Sequence, residues 1–378
     1  MWLLAARQYS RASGLLQPFF GQTLGEDVDW KTIIVAALAT GLLAASGAAP
    51  AAAGVTIRVT PERQSLAKSD NVVVDVTVTN ATAATQYLLK WQTPFGAIEA
   101  PLFEVTRDGL PVRYLGIQVK RAAPAAADYI ALKPGASRSV KVELSALYDM
   151  GITGAYSVRW RDGATRLFSR PGVARSAALP DPLPAAVWIA GRLPRGALDT
   201  GAGTVPAEGA GLGFSRCSNA QQETITAAAQ AAQAMAQDAG AYLQRIGLGP
   251  RYTGWFGALD AARPATVTRH FQAIGEAFAS KPVTVDCGCK ESWYAYVYPN
   301  QPYKIYVCKA FWGAPLTGTD SKGGTLVHEM SHFTVVAGTD DVAYGQSAAR
   351  QLAASDPARA VNNADSHEYF GENTPPLP

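Results

Sequence analysis

The sequence predicts an α+β protein in which an antiparallel β-sandwich, immunoglobulin-like in architecture, precedes a helix-rich domain with a small β-sheet. The prediction rests on three observations: short runs of two-residue alternation come first, a stretch rich in proline and glycine follows, and helical patterns occupy the rest. The 378 residues are 48% hydrophobic and 17% charged, which suits a globular chain of about two domains.

Residues 1–53 are predicted to form a signal peptide. Lys31 is followed by an uncharged apolar run, and small residues lead up to Ala53, which is the order of a secretory signal. A membrane anchor is the alternative, because residues 32–53 carry no charge over a spanning length. Gly47 and Pro50 favour cleavage, so we expect a secreted protein with no stable membrane association.

Residues 54–170 are predicted to form the sandwich. Two-residue alternation recurs in short runs such as 72–79 and 139–144, and Asp108-Gly109 and Pro134-Gly135 mark turns between runs. About seven short strands in such a length are typical of an immunoglobulin-like sandwich. The segment contains no histidine and no catalytic pattern, so we expect the chemistry to lie elsewhere in the chain. We assign this segment as a pro-domain because of the family resemblance described below.

Residues 171–212 are rich in proline and glycine and are predicted to be a linker that contains the processing site. Residues 213–378 change to helical patterns, and Ser218 is a candidate cap of a long alanine-rich helix. Helices are expected over about 219–246 and 266–279 and from residue 323 onward, and strands over 293–298 and 304–308.

The formal net charge of +3 is too small to favour a nucleic acid partner. The charge is unevenly distributed, because residues before Gly213 carry 21 Lys and Arg against 16 Asp and Glu, and the remainder carries 12 against 14. A basic N-terminal domain could cover an acidic cleft as an intramolecular inhibitor, or it could act as a folding aid. The alternative is a retained module that binds a surface or a glycan.

The four cysteines agree with export, since an even number can form disulfides in an oxidising compartment. They are Cys217, Cys287, Cys289 and Cys308. Buried thiols and a zinc site are the alternatives, although Cys-Gly-Cys lacks the spacing of a zinc knuckle. Spacing alone leaves three pairings open.

The strongest chemical signal is the segment His328-Glu329-Met330-Ser331-His332. On a helix, residues four apart share one face, so both imidazoles can bind one metal ion with Glu329 beside the remaining coordination position. In a catalytic zinc site, a water with a pKa of about 7 is deprotonated by such a carboxylate and attacks a polarised carbonyl. An ordinary amphipathic helix and a closed structural zinc site are the alternatives.

The third ligand has several candidates. A histidine six residues after the second one would complete a longer zinc motif, but that position is Gly338. Glu368 or Glu372 could serve from a following helix. Asp340 and Asp341 are nearer, because the chain leaves the first helix at Gly338, and a carboxylate is an acceptable zinc ligand.

His-Glu-x-x-His followed by Gly-Thr-x-Asp-x-x-Tyr-Gly resembles the aspzincin metallopeptidases, the group of deuterolysin and peptidyl-Lys metalloendopeptidase. The tail 363–373 resembles the lysine-specific branch, and the similarity runs from about Gly213 to the C-terminus. The resemblance implies a zincin-type metallopeptidase domain in residues 213–378. It also implies Glu329 as the general base and one Zn²⁺ on His328, His332 and Asp341.

The resemblance implies roles for further side chains. Tyr344 would donate a hydrogen bond to the developing oxyanion, and Asp365 and Glu368, three apart on one helix face, would bind the ammonium of a lysine after the scissile bond. From the residues alone, Tyr344 could be a packing residue, the two acids a solvated helix face, and Asp365 a partner of a zinc-bound histidine. The disulfides that the family pattern implies are Cys217–Cys287 and Cys289–Cys308.

We therefore predict a secreted zinc endopeptidase, made as a preproprotein, that cleaves protein or peptide substrates on the N-terminal side of lysine. A deuterolysin-like peptidase of broader specificity and a non-catalytic secreted adhesin with a structural zinc site are the alternatives. Lysine-directed self-cleavage cannot release the domain at the linker, because no lysine lies between Lys141 and Lys281. His270 and His367 are expected to be structural or exposed.

Overall fold

A computed structural model describes residues 54–67, 70–161, 163–171, 173–175, 183–190, 211–245 and 247–378. The predicted signal peptide and most of the predicted linker lie outside these residues. No helix in the described ranges combines the length and apolar character that a membrane crossing needs. Strands come first and helices dominate after residue 218, so the α+β prediction is confirmed.

The strands before the helical part build several sheets. In the described residues their orders are β1-β3-β9, β2-β13-β10-β5-β6 and β12-β11-β4-β8, while β7 joins a sheet farther along the chain. The strands are β1 (Val55–Pro61), β2 (Ser65–Leu66), β3 (Val73–Asn80), β4 (Gln86–Leu89), β5 (Phe103–Arg107), β6 (Leu110–Pro111), β7 (Gln118–Lys120), β8 (Tyr129–Leu132), β9 (Ser137–Glu143), β10 (Gly154–Trp160), β11 (Leu167–Arg170), β12 (Val173–Arg175) and β13 (Ala185–Ile189).

All three of these sheets contribute to one hydrophobic core. Two-residue alternation buries Val74, Val76 and Val78 of β3. On the opposite face, the Thr77 hydroxyl lies 2.8 Å from the hydroxyl of Ser139 on β9. Strands outnumber the seven expected because several have only two to four residues. The immunoglobulin-like order of connections stays a prediction.

A strand interrupts the predicted linker. β13 lies within residues 171–212, pairs antiparallel with β10 and buries Ala185, Val187 and Ile189 in the N-terminal core. The prediction of a linker is therefore wrong for residues 185–189, which form a strand of the N-terminal part. The physical reason is that a five-residue run with every second side chain apolar can complete a sheet, although prolines precede it.

The C-terminal part combines a mixed sheet with helices. In the sheet β14-β15-β17-β16-β7, the strands β14, β15 and β17 are parallel and β16 is antiparallel to β17. Its own strands are β14 (Gly211–Ser215), β15 (Pro282–Asp286), β16 (Ala295–Val297) and β17 (Lys304–Val307). The helices are α1 (Asn219–Leu243), α2 (Pro250–Phe256), α3 (Arg263–Ser280), α4 (Lys309–Gly313), α5 (Lys322–His332), α6 (Gln346–Ser355), α7 (Pro357–Val361) and α8 (Ala364–Glu372).

Helix α1 supports the helix that carries the histidines. Ser218 and Gln221 form a reciprocal capping box at its start. Small buried side chains at helical spacing, including Ala228, Ala232 and Ala236, let α3 and α5 pack closely against it. The helix ends at Leu243, slightly before the predicted end.

Candidate active site

Helix α5 carries the two histidines of the motif through the core, and all its residues are buried. Ser321 begins the helix by accepting a hydrogen bond from the Gly324 N–H at 2.9 Å. A Cβ at Gly324 would lie 2.1 Å from Glu372 Oε1 on α8, so a larger residue would have to displace this carboxylate. The glycine before the motif therefore lets α5 pack beside the acidic helix.

A set of potential metal ligands converges beside α5. His328 Nε2 lies 3.1 Å from both His332 Nε2 and Asp341 Oδ1, and His332 Nε2 lies 3.4 Å from Asp341 Oδ1. Ligand atoms placed about 2.0–2.1 Å from a tetrahedral zinc ion are about 3.3–3.4 Å apart. The donors therefore fit zinc both in their spacing and in their chemistry, with two imidazole nitrogens and one carboxylate oxygen.

The second nitrogen of each imidazole is also held by the protein. His332 Nδ1 lies 2.8 Å from the Thr339 carbonyl oxygen, and a proton on Nδ1 donates to it. His328 Nδ1 faces Asp365 Oδ1 at 3.0 Å and Glu368 Oε2 at 3.2 Å. Partners of this kind fix the ring orientation and leave Nε2 free to bind a metal.

The loop after α5 brings Asp341 to the histidines. Gly338 has a φ of 61°, a left-handed conformation that suits glycine and turns the chain back. Asn363 Oδ1 accepts two backbone N–H groups directly after Asp341, which holds the loop in place. The side chain of Asp340 points to the N-terminal part and pairs with Arg161. Of the two adjacent aspartates, only Asp341 faces the imidazoles.

Glu329 is buried next to these ligands. Its Oε1 accepts a hydrogen bond from the Lys120 N–H at 3.3 Å. Burial raises the pKa of the Glu329 carboxyl to about 7, against the opposite influence of His328 and His332. Burial also acts to raise the pKa of Asp341, but the two histidines outweigh it and hold that pKa well below its usual range. One carboxyl can therefore exchange a proton near neutral pH while the other stays charged.

Tyr344 lines the same cavity as Asp341. Its ring is buried and meets the Trp91 ring edge-on, with 5.6 Å between the centroids. Burial, followed by the charge of Asp341, raises the pKa of the phenol well above its ordinary value. The hydroxyl therefore keeps its proton and is able to donate a hydrogen bond.

A buried acidic pocket adjoins the ligands, and the side chain of Lys120 fills it. The ammonium lies 2.8 Å from Glu368 Oε2 and 3.3 Å from both Asp365 Oδ1 and Asp320 Oδ1. Burial by itself lowers the pKa of Lys120, but Asp365 and Glu368 raise it well above its ordinary value, so the lysine is charged. Two tyrosine rings flank the ammonium, at 5.2 Å for Tyr369 and 5.7 Å for Tyr294.

The Lys120 ammonium also helps to determine where a metal ion can bind. His328 Nδ1 with Asp365 and Glu368 forms a second group of potential metal ligands in the described residues. The Lys120 ammonium already pairs with both carboxylates and would repel a second cation beside them. The group around His328 Nε2 is therefore the better metal site.

The backbone of Lys120 forms the edge of the C-terminal sheet. β7 pairs antiparallel with β16, and Val119 lies opposite Tyr296. The Val119 N–H donates to Asp341 Oδ2 at 3.0 Å, and the Tyr294 N–H donates to the Lys120 carbonyl at 3.2 Å. An extended segment of the N-terminal part thus crosses the ligand cluster while its lysine occupies the pocket.

Known proteins share this combination of motifs. The family model described as lysine-specific metallo-endopeptidase matches residues 244–372. The extracellular protease of Aeromonas hydrophila is 47% identical over 348 residues, which cover 91% of this chain and 99% of that protein. The chain belongs to the aspzincin metallopeptidases. It is therefore a zinc-dependent metalloendopeptidase, and the recognition of the family from its motifs is confirmed.

A sequence and a solved structure from Grifola frondosa are also similar to this aspzincin. A peptidyl-Lys metalloendopeptidase is 36% identical over 321 residues, which cover 81% of this chain and 89% of that protein. A solved structure of a zinc peptidase is 48% identical and covers 42% of this chain and 99% of its own, with a TM-score of 0.41.

The residues that the sequence singled out in this aspzincin fall into adjoining groups. His328, His332 and Asp341 surround one point, Glu329 is buried beside them, and Asp365 and Glu368 line the neighbouring pocket. Asp365 contacts both His328 and Lys120, so it lies between a predicted zinc ligand and a lysine ammonium. The cysteines pair as the family pattern implies, Cys217 with Cys287 and Cys289 with Cys308.

The remaining residues that the sequence analysis considered lie outside the group of ligands around His328 Nε2. Glu372, an alternative third ligand, accepts hydrogen bonds from the N–H and hydroxyl of Ser321. Glu368 is on the Nδ1 side of His328, which excludes it from the ligand set around Nε2. His367 is buried, and its Nε2 lies 2.9 Å from His270 Nδ1.

Sequence reasoning missed Lys120, Asp320 and Asn363. Asp320 lies in a loop without a motif, and Asn363 acts through a backbone contact that no pattern encodes. The basic excess of the N-terminal part indicated the sign of its charge but no particular residue. Lys120 could have been found by applying the expected lysine specificity to the lysines of the N-terminal domain as well.

Proposed function

We propose that this aspzincin is a secreted endopeptidase, made as a preproprotein, that cleaves peptide bonds on the N-terminal side of lysine. The observation that carries the proposal is the position of Lys120, whose ammonium lies among the carboxylates of Glu368, Asp365 and Asp320 beside the metal ligands. The names of two relatives, an extracellular protease and a peptidyl-Lys metalloendopeptidase, support secretion and lysine preference.

In this proposal zinc is held by His328, His332 and Asp341, and when bound it lowers the pKa of a water and polarises the substrate carbonyl. Glu329 takes a proton from the attacking water and delivers it to the leaving nitrogen. Its distance of 3.3 Å from the Lys120 nitrogen supports this delivery. Tyr344 donates to the oxyanion, a role that its protonated hydroxyl and its place in the Asp341 cavity support.

Asp365 and Glu368 form the pocket for the lysine side chain. Carboxylates that converge on one point suit the compact ammonium of lysine, whereas a planar guanidinium spreads its donors over a wide fork. The aromatic rings of Tyr369 and Tyr294 lie close to the ammonium, and ring faces attract a cation. The pocket therefore favours lysine specificity over the broad preference of a deuterolysin-like peptidase.

The N-terminal part is proposed to inhibit the enzyme until it is removed. Lys120 fills the pocket that a substrate lysine needs. The Val119 N–H donates a hydrogen bond to Asp341, one of the proposed zinc ligands. An ion pair between Arg161 and Asp340 adds to this docking. A substrate has to displace all these contacts before it reaches Glu329.

A digest tests the proposed function. Processed, zinc-loaded enzyme is incubated with a denatured protein of known sequence, with and without a chelator, and the new N-termini are sequenced. We expect new N-termini that begin with lysine, no cleavage with the chelator, and recovery on addition of zinc. Cuts without regard to lysine would favour the broader peptidase, and a zinc-bound protein that cuts nothing would favour the adhesin.

A pair of substitutions tests the pocket itself. Asp365→Asn combined with Glu368→Gln should remove the preference for lysine, because both changes delete a charge opposite the ammonium. Glu276→Gln is the matched control, since it deletes a carboxylate on the exposed side of α3. An unchanged lysine preference in the double variant would refute the pocket assignment.

A further inference from the structure

We propose that the peptide bond between Val119 and Lys120 is a substrate of its own chain and is hydrolysed intramolecularly at this active site. The inference rests on the proposed function, because it uses the lysine pocket and Glu329. It adds a processing site within the N-terminal part. This site matters because the predicted linker contains no lysine that the enzyme could cut.

The bond has the position of a bond about to be cleaved. With the Lys120 side chain in the pocket, the amide nitrogen of the same residue lies 3.3 Å from Glu329 Oε1. The Val119 N–H donates to Asp341 Oδ2. In a regular extended strand the N–H and C=O of one residue point to the same side, so we infer that the Val119 carbonyl is directed to the side of Asp341 as well.

The chain is held on both sides of the bond. Before it, Gln118 Nε2 lies 3.4 Å from Asp340 Oδ1, and β7 pairs with β16 as an added edge strand, which is a common way to bind an extended peptide. After it, the Arg121 guanidinium lies 4.8 Å from the Trp293 ring centroid. Restraint on both sides keeps the reacting groups close together, which favours hydrolysis.

The reaction consumes one water. The water oxygen forms a bond to the Val119 carbonyl carbon, and the bond from that carbon to the Lys120 nitrogen breaks, with its electron pair remaining on nitrogen. Glu329 accepts a proton from the water and passes it to the Lys120 nitrogen. The second proton of the water also passes to this nitrogen, so the products are a carboxylate at Val119 and a new, protonated amino terminus at Lys120.

The cut breaks β7 but leaves the rest of the N-terminal part assembled. β1 to β6 precede the bond and β8 to β13 follow it, yet β3 pairs with β9 and β5 pairs with β10. Both fragments therefore share sheets and the hydrophobic core. We expect them to separate under denaturing conditions and to stay together under native ones.

The test uses the full chain with zinc, at low concentration and without any other protease. We expect a fragment whose N-terminal residue is Lys120, formed at a rate that a tenfold dilution does not change. Glu329→Gln should abolish the fragment. Lys133→Ala, which alters an exposed lysine of the same N-terminal part, should leave it unchanged.

An amine-labelling experiment on the Glu329→Gln chain gives a readout that does not depend on activity. Lys120 should resist acetylation while Lys133 reacts, because only the first is buried in the pocket. Equal labelling of the two lysines would contradict the docked position.

An external lysyl peptide separates this inference from the proposed function. A recognition sequence for a site-specific protease is inserted in the predicted linker, and the chain is opened there. If the opened chain cuts the peptide before lysine but leaves Val119–Lys120 intact in the unopened chain, self-cleavage is refuted and the proposed function stands. If the opened chain cuts neither the peptide nor its own Val119–Lys120 bond, both the self-cleavage and the proposed function are refuted.

Discussion

The ammonium of Lys120 lies 2.8 Å from the carboxylate of Glu368, and both side chains are completely buried. Removing one partner of a buried ion pair leaves an uncompensated charge, which is strongly destabilising. The pocket acids and the N-terminal strand therefore stabilise each other in the uncut chain. After processing, a substrate lysine or solvent has to take the place of this ammonium.

Asp320→Asn should weaken lysine binding without stopping catalysis. Its carboxylate lies 3.3 Å from the ammonium, but its side chain is 36% exposed, so solvent screens part of the attraction. We expect KM for lysyl peptides to rise about fivefold in processed enzyme, with kcat nearly unchanged. Steady-state kinetics measure this, with Glu276→Gln as the control. A fall in kcat alone would argue against a role in binding.

Tyr344→Phe should lower kcat by about a hundredfold and leave KM nearly unchanged, because an oxyanion donor acts in the transition state. Tyr252→Phe is a suitable control. The Tyr252 hydroxyl is buried on α2 and has no hydrogen-bond partner among the described residues. If the Tyr344→Phe variant has the kcat of the wild type, the tyrosine has no role in catalysis and serves only for packing.

Arg161→Ala should loosen the docking of the N-terminal part. Arg161 pairs with Asp340 and is partly exposed, so we assign its loss about 1 kcal/mol, or roughly a fivefold rise in the initial rate of lysyl peptide cleavage by the full chain. Arg159→Ala is the control, because Arg159 pairs with Glu104 of the same N-terminal part. Equal initial rates in the two variants would contradict a role in docking.

Glu372→Gln should flatten the pH dependence of stability. Burial, and then the charge of Glu368, raises the pKa of Glu372 from 4.5 to about 8. The folded state therefore binds a proton that the unfolded state has released between these values. The free energy of unfolding falls as pH rises through this window, by at most about 1.4 kcal/mol per unit from this group.

Urea unfolding of the full chain at several values between pH 5 and 8 measures this difference. The wild-type midpoint should decline more steeply with rising pH than that of Glu372→Gln, and Glu276→Gln should follow the wild type. Parallel curves for all three proteins would mean that Glu372 titrates near its ordinary pKa in the folded protein.

The sequence could predict what local spacing encodes. Two histidines four apart on one helix determine where their imidazoles lie, and three-residue spacing puts Asp365 and Glu368 on one face of α8. The strand Ala185–Ile189 shows the limit, because the composition around it indicated a linker while its alternation was enough to complete a sheet. Short elements of this kind depend on tertiary pairing, which single segments do not reveal.

The contacts that the sequence could not supply join distant parts of the chain. Lys120 meets Asp320 and Asp365 only because β7 pairs with β16, and this pairing depends on how the two parts dock. Nothing in the composition near Lys120 distinguishes it from the exposed Lys133. Charge balance predicted attraction between the parts, but a particular ion pair requires coordinates.

β7 also covers the open side of β16. Once this strand leaves, the backbone donors and acceptors of β16 are available to any extended polypeptide, since an uncovered sheet edge is a template for pairing. The uncovered edge of β16 would let the mature enzyme bind unfolded chains of many sequences. The same edge would make the enzyme prone to aggregation. Its storage form would therefore be the chain in which β7 still covers β16, and its working life after activation would depend on how quickly new strands fill that edge.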